Sequence, residues 1–409
     1  MSGISNSTTG SLPPPPPDWQ PQYHAPPPKR KSRAGKILAI LLVLLILFSI
    51  LFYTPIGKMF LAGITGNSYP SDSTFRLTRE IEIDVDNGDI NYLCDIPLPG
   101  TVAYSAGNAQ RINKVNTQPV ATNSDKYGNS WLEWSGSTDG TVTFEVTYWA
   151  TVNTIIWDIG SGNSGMVSDI PSGLADVQTG NELEILDSAD NPTGEYKIWP
   201  THVTISKLAN GLTSDDLTVY DNVKRIYNYV RGNVDYLTVS GSEAKSCLQT
   251  LADGTGDCDD QSILLISLCR SIGIPSWLAF GTLYDSIRNE WGAHAWAEVY
   301  IPLQDGTGEG VTIDTANKEF LVRNCNRLEE WKSDGIGDHL ADYYNILSYN
   351  YSMLNPHQLP PEVTVSENYS GEYAASEEMV YALFDIYLES GLDNLTEIAV
   401  SLSSKSSGF

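Results

Sequence analysis

The sequence predicts an α+β fold: helices followed by an antiparallel sheet, preceded by a small all-β domain and a single transmembrane helix. Three observations carry that expectation. Residues 37–57 hold no charged side chain and contain the run ILAILLVLLILFSILFY. Between 70 and 205, apolar and polar residues alternate, with Gly, Asn, Ser and Thr clusters separating the segments. From Thr213 the apolar period becomes that of a helix, and further on it returns to that of a strand.

The apolar run comes first. A bilayer core takes about 20 such residues in a helix. The run exceeds the roughly 7–15 apolar residues of a signal peptide and has no clean small-residue cleavage site after it, so a retained anchor at 37–57 is expected. Lys29, Arg30, Lys31, Arg33 and Lys36 precede it and Lys58 follows. The positive-inside rule then predicts a single-pass membrane protein with a cytoplasmic N-terminus and an extracellular body. Residues 1–36 include SLPPPPPDWQPQYHAPPP and are expected to form a disordered, polyproline-like tail. A docking motif for a proline-recognising partner is the weaker alternative.

The whole chain, 409 residues with a net charge of −26, splits unevenly: only one of its 50 acidic residues lies in 1–60, and 61–409 carries −31. So acidic a body repels phosphate backbones, which excludes nucleic acid as the expected partner. A hydrophobic content of 41% argues for folded globular structure rather than disorder. The five cysteines cannot all pair, so at least one thiol is free or bridges to another chain. With Cys258 free, Cys94, Cys247, Cys269 and Cys325 could form two bridges of unread connectivity.

Within the β domain, expected over 70–205, TFRLTREIEIDV points Phe75, Leu77, Ile81, Ile83 and Val85 one way, and Asn87-Gly88 reads as a two-residue hairpin turn. TVTFEVTYW repeats the alternation. DVDNGD lacks the glycine and glutamate placement of a helix-loop-helix calcium loop and reads as a turn. Over 213–325, Thr213 with Asp216 reads as a helix cap, and Leu217, Tyr220, Val223, Ile226, Tyr227 and Val230 form a helical stripe. A second helix opens at Cys258 and ends at Gly273 and Pro275. Strands follow in SWLAFGTLY, in AHAWAEVYI and in VTID, which ends at Asp314. In AHAWAEVYI, His294, Trp296, Glu298 and Tyr300 share one face. Residues 326–409 are expected to form a partly helical extension, with EEMVYALFDIYLES as its amphipathic helix and sequons at Asn350, Asn368 and Asn394.

GTGDCDDQSILLISLC places Cys258 among Asp257, Asp259 and Asp260, which oppose a thiolate. A helix N-terminus and an imidazolium would offset them. His294 sits in a half-buried strand, and Asp314 ends the next one, where antiparallel pairing can bring it beside His294. A Cys258–His294–Asp314 triad answers to that pattern: nucleophile, base and acid, orienting group. A zinc site is disfavoured by three widely separated ligands without a C-x-x-C pair. No cofactor is expected.

GDCDDQSILLISLCRSIGIP, HAWAEVYIP and IDTA, in that order, resemble the transglutaminase-like superfamily of the papain-like cysteine enzymes, over roughly 213–320. The resemblance implies the same three roles for Cys258, His294 and Asp314. Many relatives carry a Trp shortly before the Asp; GEGVTID has none. Joined to the anchor expected at 37–57, the triad points to a membrane-anchored, outward-facing enzyme that acts on amide bonds through a thioester. Hydrolysis of a protein or peptide, at the cell envelope or on secreted protein, is the leading expectation. Transfer to an amine, as in protein cross-linking, and a non-catalytic scaffold are the alternatives.

Overall fold

The computed structural model describes residues 68–381, apart from 175–178, 190, 239–242, 337–338 and 354–358, together with Leu42. The tail and span expected over 1–57, Leu42 aside, lie outside the described residues, as does most of EEMVYALFDIYLES. Among the described residues no helix is long and apolar enough to cross a membrane.

Alternating burial builds the first half. β1 (Asp72–Asp86), β2 (Ile90–Pro97), β3 (Gly107–Gln118), β4 (Thr122–Lys126), β5 (Asn129–Thr138) and β6 (Val142–Asn153) form two stacked antiparallel sheets. Phe75, Leu77, Ile81, Ile83 and Val85 all face the interior, with Leu77 opposite Tyr148 and Ile81 opposite Phe144 across the β1–β6 ladder. The inward row also includes Arg79, which is buried and bonded to Glu330 at 2.7 Å and Glu367 at 2.8 Å. The Asn87-Gly88 turn is not a hairpin. β1 pairs with β6, while β2 pairs with β5 in the other sheet, so the turn carries the chain between layers. Apolar faces on both strands pack better across the sandwich than side by side in one sheet.

The hairpin of β7 (Glu182–Leu186) and β8 (Pro192–Ile198) lies within 70–205 but packs with the second half, where Ile198 joins the core of the helices. Next comes α1 (Val203–Leu212), a helix not foreseen from the pattern. α2 (Val219–Asn233) starts at Thr218, which accepts the Asp221 N–H, and not at Thr213. Thr213 instead ends α1. α3 (Cys247–Asp253) leads into α4 (Cys258–Ser271), and the sheet β9 (Ser276–Asp285), β10 (Glu290–Pro302), β11 (Gly308–Asp314) and β12 (Arg327–Lys332) follows. Its order is β11-β10-β9-β12, with Glu319–Phe320 outside β11. Ala295, Ala297, Val299 and Ile301 of β10 join the core formed with Ile263, Leu264 and Leu268 of α4.

The expected extension, 326–409, is in its described part woven into both halves. β12 closes the second sheet on β9, and α5 (His339–Tyr344) stacks Tyr343 on Phe280 at 3.9 Å. β13 (Leu347–Asn350) pairs with β2, and β14 (Glu362–Ala375) with β1. Met379–Tyr381, inside the expected helix, is a strand against Ser68–Pro70. All five cysteines are free; every one but Cys258 is buried.

Candidate active site

A short parallel pairing, Tyr236 beside Gly256, delivers the chain into α4 with Asp257 at the cap and Cys258 first in the helix. Asp260 turns back to accept the backbone N–H groups of Asp257 and Lys245, at 3.3 and 2.6 Å, so its carboxylate shapes the turn. Asp259 accepts the Tyr344 hydroxyl at 3.1 Å. Cys258 is part-buried, and the backbone N–H of Ala295, next to His294, is directed at its sulfur. Burial pushes the Cys258 thiol well up; Asp259 and then Asp257 add to the rise, and the Ala295 N–H opposes it. Burial and the flanking carboxylates thus favour the thiol form of Cys258, against the helix dipole. Asp257, half-buried and bonded to Asp259, is pushed up to about 7.

His294 stands opposite Gly281 on β9, and Asp314 follows Ile313, the partner of Ala297. That register brings His294 Nε2 to 2.7 Å from Asp314 Oδ2. The same oxygen accepts Asn317 Nδ2 at 2.8 Å and Arg327 Nη2 at 3.1 Å, while Oδ1 accepts the Asn317 N–H at 3.0 Å. Asn317 Nδ2 also lies 3.0 Å from His294 Nε2. Burial alone would raise the Asp314 carboxyl, but His294 and Arg327 hold it well below the usual range. Arg327 also bonds Glu319 and lies over the Trp296 ring at 5.1 Å. Glu319 is pushed up to about 7 by burial, with Arg327 opposing and Asp314 assisting.

A Cβ at Gly281 would meet the Leu328 carbonyl oxygen at 1.8 Å, so only glycine lets β12 close on β9 and bring Arg327 under the site. The donor atoms of Asp257, Cys258 and Asp259 lie within 4.8 Å of one another. A cation there would withdraw the sulfur from attack, and we assign none. A cleft of about 390 Å³ between residues 98–102, 128–130 and 329–332 is lined by none of Cys258, His294 and Asp314.

Residues 206–308 match the family model of the Transglutaminase-like superfamily. The chain carries a transglutaminase-like domain. The wider fold resembles a protein from Cytophaga hutchinsonii proposed to be a cysteine protease, at 15% identity and a TM-score of 0.51, covering 78% of this chain and 96% of that one. A proposed protease from Parabacteroides distasonis is aligned at 12% identity and a TM-score of 0.22, over 55% and 46% of the two chains. No curated protein matches. Cys258, at the start of α4, and His294, on β10, fall within the matched residues, and Asp314, at the end of the adjoining β11, lies just beyond them. Arg327, Glu319 and Asn317 escaped sequence reading, as did Tyr344. Asn317 alone left a trace, three residues after Asp314, the spacing of a polar turn.

Proposed function

We propose that this chain is a cysteine hydrolase of amide bonds. The His294 Nε2–Asp314 Oδ2 bond of 2.7 Å, on the strand whose next N–H meets the Cys258 sulfur, carries the reading. With Nε2 committed to Asp314, proton exchange falls to Nδ1. As Sγ bonds to the substrate carbonyl carbon, the thiol proton moves to Nδ1 and the C=O pair moves to oxygen, where the Cys258 N–H supports it. Collapse breaks the C–N bond; the amine leaves with the proton from Nδ1, and a thioester remains. Water then gives a proton to Nδ1 and bonds to the acyl carbon, and the departing sulfur takes that proton back. With burial and the flanking carboxylates favouring the thiol, His294 acts as a general base during attack.

The apolar run 37–57 and the basic residues before it support a single-pass anchor with the enzyme outside the cell membrane, where envelope or secreted proteins would be its substrates.

The test is incubation of the full-length chain in detergent with a peptide library and a labelled primary amine in ¹⁸O water. Cleavage with one ¹⁸O per new carboxyl, lost in Cys258→Ala, is the expected result. Amine incorporation in place of ¹⁸O would make the chain a transferase, and no Cys258-dependent product at all would leave a scaffold.

A further inference from the structure

We propose that Arg327 is a positioning residue for the triad: clamped between Asp314 and Glu319 beneath Trp296, it keeps Asp314 charged and aimed at His294 Nε2. The inference rests on the hydrolase reading above, in which His294 takes the thiol proton.

Arg327 and Asp314 are fully buried, at 0% and 1% exposure. A buried carboxylate without a cation takes up a proton instead of staying charged. Through the 3.1 Å bond from its Nη2, Arg327 is a fixed positive partner for Asp314, whatever proton His294 carries. The same Nη2 bonds Glu319, while Asn324 Nδ2 reaches the other oxygen of Glu319 at 3.3 Å. Trp296 stacks on His294 at 5.9 Å and receives the guanidinium at 5.1 Å, so one indole spaces the histidine and the arginine. Tyr69, Tyr227 and Glu329 also lie in electrostatic reach of Asp314 or Arg327, each raised chiefly by burial, and none of the three supplies a positive charge. Arg327 is the guanidinium in direct contact with Asp314.

The role is distinguishable from packing. In alkylation by iodoacetamide, an Sγ–C bond forms, iodide leaves, and the thiol proton passes to His294. The rate at Cys258, followed by mass spectrometry of its peptide from pH 6 to 10, therefore reads the triad without a substrate. The full-length chain and His294→Ala define the His294-dependent part. Arg327→Met is expected to lose about tenfold or more of that part, as loss of an orienting group should. Arg327→Lys, which keeps the charge, should restore most of it. If Arg327→Met does not fold, the double variant Arg327→Gln/Glu319→Gln removes both buried charges together, and the same loss is expected. A folded Arg327→Met or double variant with the unaltered profile would overturn the proposal. A His294→Ala profile equal to that of the unaltered chain would overturn the triad reading and this inference with it.

Discussion

The Tyr344 hydroxyl donates to Asp259 Oδ2 at 3.1 Å, so a residue of α5 holds the carboxylate beside Cys258. Phe280 fixes the ring edge-on at 5.3 Å. Tyr344→Phe keeps that packing and removes only the donor. It should cost about 1 kcal/mol, the usual net worth of one hydrogen bond, and lower the melting temperature by a few degrees. An unchanged melting curve would mean that water replaces the hydroxyl at no cost.

Asp259 also works against the thiolate. Asp259→Asn keeps the size of the side chain and removes its charge, so the rise in the Cys258 pKa should shrink. The pH profile of Cys258 alkylation is expected to move down by roughly one unit. A profile that stays in place would show that burial and Asp257 hold the thiol up without help from Asp259.

How far the sequence shows the site depends on how far apart its parts lie along the chain. Cys258 at a helix start, His294 on an alternating strand and Asp314 at a strand end are all visible as local patterns. Arg327 is not, because a buried charge inside RLEEWK looks like any polar strand residue until Glu319 and Asp314 are placed beside it. Arg79 hid in the same way within the inward row of β1. β14 was missed for another reason: it is an edge strand exposed along most of its length, so EVTVSENYSGEYAA has no buried face to impose an apolar period. α1 straddles the expected end of the β domain at 205 and the unassigned stretch after it, since VTISKLANGL begins with β-branched residues and its helical face is set by packing on α4.

Three buried acids predict how stability follows pH. Asp257, Glu319 and Glu329 are each raised to about 7, against about 4 in an unfolded chain. A raised pKa contributes stability that is fully present below the unfolded value and is lost as pH rises through the folded one. Asp314, held low, acts oppositely, and its contribution is lost only in strong acid. The melting temperature should therefore fall between pH 5 and pH 8. A thermal melt series at constant ionic strength checks this, and a flat or rising curve would contradict the shared cause, burial.

Arg79 joins the β sandwich to both β12 and β14 through Glu330 and Glu367. Arg79→Met leaves Glu330 buried without its cation, a loss of about 3–5 kcal/mol for a broken buried pair. Replacing Glu330 by Met as well removes the stranded carboxylate and should recover part of that loss. Denaturant unfolding of the two variants decides the matter: a double variant no better than the single would mean that packing, and not charge, is what Arg79 supplies.

Asp314→Asn tests the orientation of His294. In the proposed mechanism Asp314 Oδ2 accepts the Nε2 proton and Nδ1 receives the thiol proton. An asparagine can present its Nδ2 donor at the same place, and His294 would then accept at Nε2 and carry its proton on Nδ1, where it can take nothing from sulfur. The side chains are nearly the same size, and Arg327 would lose a charged partner while keeping Glu319. Amide turnover should fall about 10,000-fold, the loss known when a triad aspartate becomes asparagine in another hydrolase, while the fold stays intact by circular dichroism. A second reading comes from the imidazole nitrogen shifts by NMR, which distinguish the two tautomers directly. Lost turnover with an unchanged tautomer would assign Asp314 a purely electrostatic part, and retained turnover would remove it from the triad.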